Sequence, residues 1–188
     1  MNEHTNDRVP FGFWVYLMSD CVLFAALFAT YAVLRGETFG GPSGAELFSL
    51  PFVLAETIIL LVSSATIGLA MLAAHHKKKK EVIILLLATF ALGCAFLAME
   101  VSEFAQFVRE GHGWQQSAFL SSFFTLVGTH GLHIFLGSLW MLVLLFHLLY
   151  KGLTPGTRSK LMCLTLFWHF LDIVWIFIFT FVYLFALL

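Results

Sequence analysis

Eight side chains able to carry a proton or hold a metal lie inside long apolar runs: Asp20, Glu56, Glu100, Glu103, His130, His133, His169 and Asp172. The run Leu164–Tyr183, LTLFWHFLDIVWIFIFTFVY, holds two of them at i and i+3 with Trp168 and Trp175 beside them. A charged side chain at the centre of a bilayer costs about 3 kcal/mol or more, so these groups must face protein. Three chemistries suit the residue types. The first is a metal centre, but bundle di-iron sites repeat Glu-x-x-His within one helix. Here the i, i+3 pairs are Glu100 with Glu103, His130 with His133 and His169 with Asp172. The second is haem ligation by two histidines on facing helices, and nothing in the spacing singles out a pair. The third is mutual hydrogen bonding between helices, which needs no ligand. Asp20 stands apart as a lone carboxylate part-way into its run. It could partner a proton, a lipid headgroup, or a hydroxyl or histidine on another span.

The elements that must position these groups are transmembrane helices. The chain has 188 residues, 60% of them hydrophobic, 22 of them Phe, and only 11% charged. An ordinary soluble domain is about a quarter charged, so the composition fits an all-α polytopic membrane protein. Five apolar runs, at about 11–34, 51–74, 81–104, 118–150 and 161–188, are each long enough to cross a hydrocarbon core about 30 Å thick. Residues 1–10 read as a polar N-terminal segment, and 11–188 as one five-helix transmembrane domain. The first run is too long for the apolar core of a cleaved signal and reads as a permanent span. The joins RGETFGGPSG, HHKKKK, REGHGWQQS and KGLTPGTRSK are charged or rich in Gly and Pro, and none is long enough to fold alone. Cys21, Cys94 and Cys163 fall in apolar runs without a CxxC and read as buried thiols. A net charge of −1 gives no nucleic-acid footprint.

Basic residues set the expected orientation. Arg8, Lys77, Lys78, Lys79, Lys80, Lys151, Arg158 and Lys160 share one side, against Arg35 and Arg109 on the other. Eight against two places the N-terminus in the cytoplasm and the C-terminus in the periplasm. The Lys77–Lys80 run serves as a topology signal and could also hold anionic headgroups, with Arg35 and Arg109 as headgroup candidates at the opposite interface. Each span carries one polar or small stripe: Tyr16 and Asp20; Glu56, Thr57, Ser64 and Gly68; Gly93, Glu100 and Glu103; Thr125, Thr129, His133 and Gly137; Thr165, His169 and Asp172. The wide Leu, Phe and Val surfaces that remain suit lipid or a larger partner.

Five motifs then occur in order: FGFWVYLMSD, PFVLAETIILLVSS, MEVSEF, FTLVGTHGLHI and LFWHFLDIVWIF. Together they resemble subunit III of the haem–copper terminal oxidases, in the five-helix form found in bacterial bo-type ubiquinol oxidases. The resemblance runs from about Phe11 to the end, with GTHGLH and WHFLDIVW its most specific parts. It implies an accessory subunit, with no catalytic centre, cofactor or metal of its own, in a proton-pumping complex of the bacterial inner membrane. That complex oxidises ubiquinol and reduces oxygen to water. The resemblance places haem and copper in catalytic subunit I, names subunits I, II and IV as partners, and implies phospholipid held in a cleft. Asp20 matches the family's carbodiimide-reactive acid, which is Glu in cytochrome c oxidase relatives. Glu103, and less regularly Glu100, match the acids of the third span, while His130, His133, His169 and Asp172 fall on buried polar positions. The chain lacks the two extra N-terminal helices of the seven-helix form, which favours quinol as the donor. The alternatives are subunit III of a cytochrome c oxidase and an independent haem- or metal-binding membrane enzyme.

Overall fold

The computed structural model describes residues 8–38, 40 and 47–186. Most of the polar segment 1–10, part of the first join and the end of the fifth run at Leu187 and Leu188 lie outside these. Among the described residues five long helices follow in order: α1 Arg8–Leu34, α2 Leu50–His75, α3 Lys79–Arg109, α4 Ala118–Lys151 and α5 Pro155–Ile178, the last continuing as a π-helical segment, Phe179–Leu184. Among the described residues there is no strand, and all five helices are long and apolar enough to cross a membrane. α4, with 34 residues, is about 50 Å long, so it protrudes or tilts in a core of about 30 Å.

Helix ends follow local rules. The join between α2 and α3 is a Schellman cap: Lys78 N–H bonds Ala73 O at 3.0 Å and Lys77 N–H bonds Ala74 O at 3.2 Å. This puts Lys77 at φ 57°, a conformation that usually falls to Gly. The end of α3 repeats the motif with Gly111 at φ 86°. α3 runs five residues past the expected 104. α5 begins at Pro155 rather than 161, because Thr154 Oγ1 accepts from Thr157 N–H at 3.2 Å and Pro155 occupies the first turn.

α5 is the most enclosed helix and α1 the least. α2 packs against α3 and α5, α4 joins α3 to α5, and α1 lies across α4 and α5. Small residues let the largest ring into the centre. A Cβ on Gly93 would stand 2.9 Å from Trp168 Cη2, and one on Gly137 3.3 Å from Trp168 Cζ3. The Trp168 indole is thus wedged between bare backbone of α3 and α4. Cys163 is buried as expected, but Cys21 and Cys94 are exposed on the outer face of the bundle. A small apolar thiol is as compatible with lipid as with a core, so hydropathy alone did not separate the two.

Candidate functional site

The eight intramembrane polar residues gather into three groups and one enclosed histidine. The first group joins α1 to α4. Asp20 is buried, and its Oδ2 lies 3.8 Å from His133 Nε2. That is beyond hydrogen-bonding distance. His133 Nδ1 donates to Thr129 O at 2.7 Å, one turn back, which leaves Nε2 directed at the carboxylate. Ser19 donates to Tyr16 O at 2.6 Å and does not serve Asp20. Phe24 covers His133 with ring centroids 5.2 Å apart.

The second group ties α5 to α2 through a ladder of donors. Trp168 Nε1 donates to Ser63 Oγ at 2.9 Å, and Trp175 Nε1 to Thr57 Oγ1 at 3.0 Å. The tryptophans are two turns apart on α5 and meet acceptors spaced to match on the antiparallel α2. Ser64 Oγ bonds His169 Nδ1 at 2.7 Å, and Asp172 Oδ2 lies 3.7 Å from the same nitrogen. The expected link from span five to a neighbour therefore runs through His169 and Ser64, while Asp172 stands beside it without a hydrogen bond. The His169 side chain is 42% exposed, which leaves it partly on the bundle surface.

The third group brings together residues from three segments. Glu56 of α2 is fully buried, and Glu100 and Glu103 of α3 are nearly so. α2 and α3 pack against each other, and Phe52, one turn before Glu56, lines the same pocket as Glu103. Tyr183, also fully buried, donates its hydroxyl to Glu103 Oε2 at 3.0 Å. The Glu100 carboxylate occupies the place a Cβ on Gly131 would take, so any larger residue there would have to displace that carboxylate. Tyr183 was not among the expected site residues. It lies eleven residues beyond Asp172, three helical turns on, and that spacing was the available signal. The π-helical segment aims it inward: Phe185 N–H bonds Thr180 O at 3.1 Å, and consecutive residues Val182 and Tyr183 are both buried.

His130 is fully buried among rings. It stacks on Trp175 at 5.2 Å and meets the edge of Phe96 at 5.9 Å. Neither ring nitrogen has a hydrogen-bond partner. The Phe24 ring stands 6.4 Å away. Among the described residues no three His, Cys, Asp or Glu converge as metal ligands would.

The basic candidates lie at the two ends. Arg35 is at the mouth of an apolar groove of about 440 Å³ between α1 and α5, lined by Ala25, Phe28, Ala29, Tyr31, Ala32, Phe177 and Phe181. Lys78 pairs with Glu81 at 2.8 Å, and Lys79 donates to Leu149 O at 3.3 Å. Lys77, Lys80 and Arg109 are exposed.

The sequence that builds this bundle is similar to known proteins along almost the entire chain. Cytochrome bo(3) ubiquinol oxidase subunit 3 of Pseudomonas aeruginosa is 58% identical, with 97% of this chain and 89% of that protein covered. Quinol oxidase subunit 3 of Bacillus subtilis is 43% identical over 98% of this chain and 97% of that protein. Cytochrome c oxidase subunit 3 of Bacillus sp. (strain PS3) is 45% identical over 92% of this chain and 84% of that protein. The family model for cytochrome c oxidase subunit III matches residues 2–187, and to that family the chain belongs.

Proposed function

We propose that this chain is the accessory subunit III of a quinol oxidase, a multi-pass component of a bacterial inner membrane. The observation that carries this reading is the 58% identity, over nearly the full chain, to a bo(3) ubiquinol oxidase subunit 3. The cytochrome c oxidase reading rests on a relative at 45% and is second. In the assembly, quinol oxidation and oxygen reduction take place at haem and copper in catalytic subunit I, with subunits II and IV completing the complex. The five helices form one transmembrane domain with the N-terminus in the cytoplasm, a reading supported by the eight-to-two distribution of basic residues.

The chain's own groups act on its neighbour rather than on substrate. Asp20 and His133 form the one close acid–histidine pair between α1 and another helix among the described residues. In the proposed orientation Asp20 lies in the cytoplasmic half of α1, on the side from which protons are taken up. There it supports proton supply to subunit I without touching the oxygen chemistry. The groove closed by Arg35 suits one acyl chain against Phe28 and Phe177, with an anionic headgroup at the guanidinium. Lys77, Lys80 and Arg109 serve headgroups at the interfaces.

Oxygen consumption against time tests this on three preparations: the wild-type complex, an Asp20→Asn complex and a complex stripped of this chain. Ubiquinol should drive the reaction and reduced cytochrome c should not. The Asn variant should start at nearly the wild-type rate and lose activity faster during sustained turnover, above all at alkaline pH. The stripped complex should do the same more severely. Abolished initial activity in an intact Asn complex would make Asp20 a reacting group and overturn the accessory reading.

A further inference from the structure

We propose that Glu56, Glu100 and Glu103, closed by Tyr183, form a buried site that binds water and exchanges protons with the face where the α1–α2 and α3–α4 connections lie. The proposal goes beyond the assignment to an oxidase and rests on the bundle geometry alone. The three carboxyl groups come from two helices, α2 and α3, that pack against each other inside membrane-spanning segments, and Phe52, one turn before Glu56, shares a pocket wall with Glu103. Protein supplies them with little. Tyr183 donates to Glu103 Oε2, yet both oxygens of Glu56 and Oε1 of Glu100 are buried without a hydrogen-bond partner. Among the described residues no Lys or Arg forms an ion pair with any of the three. Buried oxygens of this kind are satisfied in native proteins by protons and ordered water. Three uncompensated negative charges in such a place would be prohibitive.

A route to water is present. A pocket of about 210 Å³, lined by Leu47, Ser49, Phe52, Glu103, Gln106 and Phe107, opens at the same end of the bundle. At about 30 Å³ per water it holds several. Glu103 lies both in the pocket wall and against Tyr183, so it is the point of exchange, with Glu56 and Glu100 behind it. The titratable groups facing the site are Glu56 from α2, Glu100 and Glu103 from α3, Tyr183 from the π-helical segment, and His130 from α4, next to the Gly131 that abuts Glu100. A proton delivered by hydronium at the pocket neutralises Glu103 and returns one water. Transfer onward to Glu100 or Glu56 leaves the cluster's total charge unchanged.

Infrared spectroscopy on the complete assembly, purified through this chain, tests the site. The wild type should show a protonated-carboxyl stretch that shifts to lower frequency in D₂O and shrinks as pH rises. Glu56→Gln and Glu100→Gln should each remove part of that band. Glu103→Gln should slow isotope exchange of what remains by roughly 100-fold, the scale of a positioned proton-transfer group. Tyr183→Phe should raise the carbonyl frequency of one component, because a hydrogen bond to it is lost. If a Gln variant fails to assemble, the wild type and Tyr183→Phe decide the matter. A band absent at every pH, unaffected by these substitutions or closed to exchange would overturn the proposal. So would a band abolished by adding sodium or calcium salts, which would make this a cation site.

Discussion

Replacing Gly93 with Ala should destabilise the bundle, and replacing Trp168 with Phe in the same chain should recover most of the loss. The reasoning starts from a contact. An added Cβ on Gly93 would stand 2.9 Å from Trp168 Cη2 and 3.2 Å from Cζ2. The indole has little room to retreat, because Gly137 of α4 also closes on its six-membered ring and its Nε1 is held by Ser63 at 2.9 Å. Overpacking of this kind costs about 1–3 kcal/mol. Trp168→Phe alone removes the outer ring atoms, roughly 40 Å³, which at about 24 cal/mol/Å³ costs about 1 kcal/mol. It also removes the hydrogen bond to Ser63, worth about 0.6–1.7 kcal/mol between membrane helices. The atoms deleted are those the new Cβ would strike. The double variant should therefore be more stable than the sum of the singles allows by about 1–3 kcal/mol. The assay is sodium dodecyl sulfate titration of the protein in mild-detergent micelles, with helix content followed by circular dichroism for all four sequences. Additivity within about 0.5 kcal/mol would show that Trp168 is not wedged between the two glycines.

Three further outcomes follow from single contacts. Ser64→Ala should cost about 0.6–1.7 kcal/mol in the same titration by cutting the 2.7 Å bond to His169, and no further loss should appear on adding His169→Ala beyond its packing term. Asp172→Ala should lower the recovered complex more than Asp172→Asn, read by quantitative immunoblot of membranes, because Asn keeps the shape of a side chain that is only 7% exposed. Thr154→Ala should cost about 1 kcal/mol by removing the acceptor for Thr157 N–H, read as faster hydrogen exchange in the first turn of α5.

Much of this fold is visible before any coordinates, because lipid imposes long apolar runs and leaves few choices for the backbone. The polar stripes were visible for the same reason: Thr57, Ser64, Gly93 and Gly137 are out of place on a lipid-facing surface. Pairings across helices were not, since spacing along one helix says nothing of rotation against another. Nothing in the order of residues links Asp20 to His133, or Tyr183 to Glu103. The start of α5 was misplaced because Pro155 and Gly156 read as loop punctuation, although Thr-Pro is equally a cap followed by a first-turn proline. Tyr183 escaped notice because a phenol in an aromatic run looks like packing until a carboxylate is placed against it.

The central claim is that this chain serves as subunit III of a quinol oxidase, and affinity purification from native membranes in mild detergent tests it most directly. With a tag on this chain, the account predicts co-elution with a larger subunit bearing haem and copper, in a complex that consumes oxygen with ubiquinol. Recovery of the chain alone, or with haem or iron in stoichiometric amount bound to itself, would contradict it.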